Sequence, residues 1–247
     1  LNVSLEYNIK KNIENFKIFF SSPLGKVVSK IIAKKISQNW TTDSNLRIAL
    51  IGFGSAYLDL VNRKAQSFFL LIPMLHGLYH FSLKKNNLTA SVNEYNLPID
   101  DLSLDRLLVI HSFEYLNDHK IFLRESWRAL DKNGEIFIIV PHSFGLWRRY
   151  YKNNFFALRT FTIFELNSLL VNNFFTPISI DYSLFFPPNN NYFFKKSSFF
   201  EKVGSRFFNF FAGVIIIKAK KNYSAAILKE RNIIKRKTTR ASRVDAI

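Results

Sequence analysis

Cysteine is absent from the 247 residues, which excludes disulfides, thiolate metal sites and thiol nucleophiles and suits a reducing compartment. Glycine (8) and proline (7) are too scarce for a collagen-like or loop-dominated chain. Acidic side chains are few: 18 Asp and Glu stand against 35 Lys and Arg, a formal charge of +17. No apolar run reaches the roughly 20 residues that span a bilayer, because the longest, 67–83, is broken by Pro73, His76, Gly77 and His80. No membrane span is therefore expected. With no secretory signal evident at the start, a cytoplasmic location is expected. There is no GK[ST] phosphate loop, which argues against a nucleoside triphosphatase.

What is present suffices for a core. Hydrophobic residues make up 48% and aromatics 16%, and the length suits one α/β domain with additions. The charge is uneven. Residues 1–45 carry 7 basic and 3 acidic groups, and residues 218–247 carry 10 and 2, so the basicity is mainly terminal. Such ends attract phosphates of nucleic acid or anionic lipid. The joint abundance of Lys, Asn, Ile and Phe also fits an AT-rich coding bias, which adds lysine without adding a partner.

The pattern divides the chain into an N-terminal helical extension (1–45), an α/β domain (46–220) and a basic tail (221–247). Ser22-Pro23 is a helix start, since Ser caps orphan N–H groups and Pro tolerates the first helical position. Leu24, Val27, Val28, Ile31, Ile32 and Ile36 follow at helical spacing, with Lys26, Lys30 and Lys34 beside them. This basic amphipathic helix is expected to cover the following domain, with a membrane surface as the alternative. Short apolar runs predict strands at 46–51, 67–72, 88–92, 105–111 and 135–140, then 177–185 and 213–218. Helices are predicted over 56–65, from Asn117 or Asp118 to Leu130, from Thr162 with Glu165 as a capping box, and from about Ser198. Asp131-Lys132-Asn133-Gly134 reads as a turn with Gly134 left-handed. The order implies a doubly wound, mostly parallel seven-stranded sheet. Pro187-Pro188-Asn189-Asn190-Asn191 reads as a surface loop, and the tail beyond about Tyr223 as frayed or loosely helical.

Gly52-Phe53-Gly54 closes the first strand, without a third glycine two residues on. Asn93–Asp101 with Leu97-Pro98, the fourth strand Asp105–His111, and Arg128-Ala129-Leu130 before Gly134 follow in order. On these residues the stretch 46–220 resembles the class I S-adenosylmethionine-dependent methyltransferases. Phe20-Ser21-Ser22-Pro23-Leu24-Gly25, Trp40, Val140-Pro141-His142 and Gly145-Leu146-Trp147 are similar to a bacterial branch of that family. The resemblance implies a Rossmann-like fold, S-adenosylmethionine as cofactor, and methyl transfer. It places Gly52, Phe53 and Gly54 around the methionine part of the cofactor, Asn93, Glu94 and Tyr95 at the adenine, and His111 near the reacting methyl. Gly54 is expected where a side chain would meet the cofactor or strain the turn. Two positions depart from the family: Leu50 stands where an acid usually precedes the glycines, and Ile72-Pro73-Met74 lacks the acid that usually holds the ribose.

Methyl transfer needs in-line positioning and dryness, and a base only when the nucleophile carries a proton. His111 is the first candidate base and His142 the second, since both follow strand ends on the ligand side. The commoner role for each is a structural histidine. Glu114 reads first as a solvated residue at a helix start and second as a group orienting His111. His76 and His80 lack a third ligand, so no metal site is expected. The paired phenylalanines at 185–186, 193–194, 199–200 and 207–208 are read mostly as core. Alternatively they cover an apolar substrate or stack bases beside Lys195, Lys196 and Arg206. Arg148, Arg149 and Lys152 read as a solvated helix face. The leading expectation is a methyltransferase acting on a small, partly apolar molecule admitted under 185–212. An RNA- or ribosome-associated methyltransferase is the alternative suggested by charge, and a non-catalytic scaffold the one suggested by Leu50 and Ile72. Oligomeric state is left open.

Overall fold

Seven strands form one sheet in the order β3-β2-β1-β4-β5-β7-β6. They are β1 (Leu46–Gly52), β2 (Ala65–Pro73), β3 (Thr89–Val92), β4 (Leu104–Ile110), β5 (Leu130–Pro141), β6 (Phe175–Ser183) and β7 (Val214–Lys221). The computed structural model describes residues 15–39, 45–54, 57, 65–74, 89–154, 159–188 and 196–224. The first five strands run parallel, and β7 inserts antiparallel between β5 and β6. The helices are α1 (15–21), α2 (Pro23–Asn39), α3 (His119–Ala129), α4 (Arg148–Asn154), α5 (Ile163–Asn172) and α6 (Ser197–Phe207). Of the sequence expectations, the helix at 56–65, the His76–His80 pair, Phe193-Phe194 and the tail beyond residue 224 lie largely or wholly outside the described residues, as do Asn189–Asn191.

Alternation along the central strands builds two apolar layers, as the period of a strand requires. Ile48, Leu50, Leu108, Ile110, Phe137 and Ile139 face one layer, where Val28, Ile32 and Ile36 of α2 dock. Ala49, Ile51, Leu107, Val109, Ile136 and Ile138 face the other, covered by Phe122 and Leu123 of α3 and Leu166 and Leu170 of α5. The basic amphipathic helix therefore covers the domain with its apolar stripe. Its start is capped as expected, with Ser22 Oγ accepting from Gly25 N at 3.1 Å.

Local signals place α3 and α5. The Asp118 carboxylate accepts from Lys120 N (2.8 Å) and Ile121 N (2.9 Å). Thr162 Oγ accepts from Glu165 N at 3.2 Å, while the Glu165 carboxylate pairs with Arg159. At the other end of α3, Arg128 bonds the Glu125 carboxylate, the Leu97 carbonyl and Asp101, and Glu125 accepts from Leu97 N at 2.7 Å. This clamp fixes the Leu97-Pro98 step against α3.

Three expectations are corrected. Asp131–Gly134 is part of β5 rather than a left-handed turn: the helix ends with Leu130 in extended conformation, and the only glycine with positive φ among the described residues is Gly52. The β4–β5 register slips between Leu104 and Arg106, which absorbs the polar residues as a bulge-like irregularity. The phenylalanine pairs split. Phe185 and Phe186 are buried, whereas Phe199, Phe207 and Phe208 are exposed. Pro188, read as surface loop, is buried.

Candidate functional site

Parallel strands deliver their carboxyl ends to one edge, where β1 and β4 are neighbours and Gly52 lies opposite Ile110. Gly52 has φ +102°, and a β-carbon there would lie 2.2 Å from the Ile110 carbonyl oxygen. Only glycine fits this turn. Phe53 N then donates to Ile110 O (2.9 Å), Gly54 N to Gly52 O (3.0 Å) and Tyr57 N to Gly54 O (2.9 Å). At Gly54 the nearest obstacle to a side chain is Leu50, whose Cδ2 would be 1.9 Å from an added β-carbon.

The chain leaves β4 through His111 at φ +49°, a conformation that strains a non-glycine residue and redirects its side chain. The imidazole is 4% exposed, and its ring centroid lies 5.1 Å from that of Phe16 and 5.7 Å from that of Phe20. Both of these α1 rings also stack on Phe53, at 5.6 and 5.4 Å. His111 Nδ1 lies 3.4 Å from Glu114 Oε1. Glu114, which the sequence suggests is solvated, has a fully buried side chain. Both His111 nitrogens, both Glu114 oxygens and Ser112 Oγ are buried without a hydrogen-bond partner among the described residues. Each such atom costs about 1–3 kcal/mol. Five together beside a glycine turn fit a place that a polar ligand completes.

The β3 end is more fully tied. Asn93 Oδ1 accepts from Tyr95 N at 2.9 Å, which leaves the amide nitrogen to donate. Tyr95 Oη accepts from the backbone N–H groups of Asn117 (2.9 Å) and Asp118 (3.2 Å), joining the β3 and β4 loops while keeping its own O–H. Glu94 is buried, and that burial pushes its carboxyl above the ordinary value, against the opposing pull of a backbone N–H. Leu50 and Ile72 are both buried apolar residues, so no carboxylate occupies either family position.

His142 is not brought to His111. It continues the alternation of Ile138 and Val140 into the other layer, where its ring meets Phe144, Tyr182 and Phe210. Nδ1 lies 3.2 Å from the Ala212 carbonyl, which can only accept, so Nδ1 carries the proton. Burial pushes His142 below the usual imidazole pKa, and the Ala212 bond partly opposes this. His119, unremarked in the sequence, is likewise buried: Nε2 donates to Phe113 O at 3.0 Å, and Nδ1 faces Arg159 at 3.3 Å. Burial, then the guanidinium charge, lowers its pKa.

Residues 78–138 match the family described as methyltransferase domain. The fold over the described residues is that of the S-adenosylmethionine-dependent methyltransferases. Among solved structures, this chain is similar to an S-adenosylmethionine-dependent methyltransferase of Thermotoga maritima. That pair shares 15% identity at TM-score 0.61, covering 88% of this chain and 99% of the other. A second similar structure is an S-adenosylmethionine-dependent methyltransferase of Archaeoglobus fulgidus (15% identity, TM-score 0.55, 78% and 94% covered). A third is geranyl diphosphate C-methyltransferase of Streptomyces coelicolor, in complex with S-adenosylhomocysteine (13% identity, TM-score 0.54, 76% and 79% covered). No curated protein sequence matches. S-adenosylmethionine is the methyl donor named for the first two of these relatives, and the unpartnered polar atoms around Gly52 fit its polar methionine end. No helix among the described residues is long and apolar enough to cross a membrane.

The sequence missed the aromatic cover. Phe16, Phe19 and Phe20 lie at helical spacing, a visible signal of one apolar face. What that face would cover is a long-range fact.

Proposed function

We propose that this methyltransferase alkylates an oxygen or nitrogen nucleophile of a small, partly apolar molecule, in a pocket bounded by the glycine turn, His111 and the α1 aromatics. The observation that carries the reading is the buried His111–Glu114 pair, unpartnered beneath Phe16 and Phe20. S-adenosylmethionine, when bound, supplies an activated methyl group. The Gly52-Phe53-Gly54 backbone would hold its methionine end, with Asn93, Glu94 and Tyr95 at the adenine. His111 would take the proton that leaves the nucleophile, and the Glu114 carboxylate would stabilise the resulting imidazolium. Phe16, Phe20 and Phe53 exclude water, which strengthens each polar interaction inside. A site covered by two phenyl rings suits a small substrate better than a base within a polymer. His142, bonded to Ala212 in the other layer, takes no part in this reading.

Calorimetric titration with S-adenosylmethionine and S-adenosylhomocysteine, followed by a labelled-methyl screen of small nucleophiles, tests it. His111→Asn should keep cofactor affinity, lose about 10²–10⁴-fold in turnover and change the pH–rate profile. Full turnover with an unchanged pH profile would remove His111 as base. No cofactor binding by the intact chain would overturn the reading and leave a scaffold.

A further inference from the structure

Helix α6 separates two unlike surfaces. On one side Lys30, Lys34 and Lys35 of α2 face Ser197, Ser198 and Lys202 of α6 across a cleft of about 320 Å³. On the other side an almost wholly apolar pocket of about 390 Å³ lies among Leu146, Phe185, Phe199, Phe200, Phe208 and Phe211. Beyond the helix, Phe208 N bonds Gly204 O at 2.8 Å and Phe211 N bonds Phe208 O at 2.9 Å, so residues 207–211 form a fixed knuckle rather than a free loop. Phe207, Phe208, Phe210 and Phe211 all project from it into solvent, with Phe199 and Phe144 beside them. Phe207 is 70% exposed and Phe199 62%. Phe144 stacks on Phe210 at 4.9 Å.

Exposed phenylalanines at this density mark a surface built for a partner. The charge around them is mostly positive, although Asp181 pairs with Lys35 at 3.4 Å and Glu201 lines the cleft. Residues 15–39 contain five lysines and no acid, and between residues 182 and 229 the only acid is Glu201. The Glu201 carboxylate is turned inward, accepting from Ser183 Oγ (2.8 Å) and Phe185 N (2.9 Å). Arg206, Arg148 and Arg149 are exposed near the knuckle. A fixed apolar wedge ringed by cations matches an anionic lipid interface, where rings sit at the acyl boundary and cations meet phosphate. Within the knuckle the rings cross, with Phe210–Phe211 at 89° and Phe207–Phe208 at 63°, while Phe144 lies near parallel to Phe210 at 13°. A fluid bilayer accepts rings at any angle, whereas strand binding stacks successive bases along a cationic groove that tracks the backbone.

We propose that the α6 face, with the 207–211 knuckle inserted and the α2–α6 lysine cleft on headgroup phosphate, docks this protein on anionic phospholipid bilayers. The inference is independent of the methyl acceptor.

The full chain is sedimented with phosphatidylcholine vesicles, with and without about one-third phosphatidylserine. It should partition onto the anionic vesicles, with binding weakened by salt. Phe207→Ser with Phe210→Ser should lower that partition about tenfold or more, and Lys30→Glu with Lys202→Glu should do the same, at unchanged melting temperature. A Phe210→Trp variant should be quenched by brominated acyl chains, which reports insertion even if a serine variant misfolds. Equal binding to neutral vesicles would overturn the proposal. So would retention that survives the phenylalanine substitutions, which would assign binding to the basic C-terminal sequence. Retention of poly(U) in place of vesicles, or self-association abolished by the same variants without vesicle binding, would also overturn it.

Discussion

The side chain of Leu50 lies directly under Gly54: a β-carbon added at Gly54 would stand 1.9 Å from Leu50 Cδ2 and 2.5 Å from Cδ1. The residue that replaces the family's usual acid thus holds the glycine turn by packing. Leu50 is fully buried, so moving its side chain disturbs packed neighbours. Gly54→Ala should destabilise the fold by about 1–3 kcal/mol through overpacking. In Leu50→Ala the same substitution should cost much less, because the first change opens the space. Urea midpoints of the four proteins check this, and additive effects would show that the two positions do not compete for one volume.

Phe20 is half-buried across His111, Phe53 and Tyr57. Phe20→Ala should admit water to His111 while leaving Phe16 in place. Hydrogen exchange at the imidazole C2, followed by NMR, should speed up, and S-adenosylhomocysteine should dissociate about tenfold faster. Unchanged exchange would mean that the cover is closed by Phe16 alone.

Asp118 is the sole side-chain cap of α3 and accepts two backbone N–H groups. Asp118→Ala should cost about 1 kcal/mol. Asp118→Ser, which retains an acceptor, should restore most of it. Loss of stability equal in both variants would assign the effect to the charge and not to the cap.

His119 and His142 are both held below the ordinary imidazole pKa by burial. As pH falls through about 6.5, the unfolded chain takes up protons that the folded chain refuses, so these two groups make stability fall. The loss ends once pH is below their folded values. Glu94 and Glu201, held above the usual carboxylate range by burial, act in the opposite direction at lower pH. The readout is therefore a difference. The drop in urea midpoint between pH 7.5 and pH 5.5 should shrink in His119→Gln with His142→Asn. An unchanged drop would show that neither imidazole stays neutral in the folded state.

The parts legible in the sequence rest on neighbours in the chain. Apolar runs placed β1 and β4, Asp118 and Thr162 announced α3 and α5, and Ser22-Pro23 opened α2. The parts that were not legible depend on distant partners. Asp131–Gly134 has turn chemistry yet joins β5, because Leu130 pairs with Leu104. Glu114 has the look of a solvated residue, but its side chain is fully buried beside His111, which lies against the α1 rings. Nothing local tells Phe186, which sits under Trp147 and accepts from its Nε1 at 2.7 Å, from Phe207, which faces solvent.

The placement of β7 bears on how the protein is made. β5 and β6 do not touch through backbone bonds; each pairs with β7, which follows both in the chain. While the chain is emerging from the ribosome, β5 presents an open edge rich in isoleucine, and β6 has no strand neighbour. Both wait for residues 214–221. Until then the nascent domain carries the kind of edge that recruits strands from other chains, which makes the interval before residue 221 emerges the period of greatest aggregation risk.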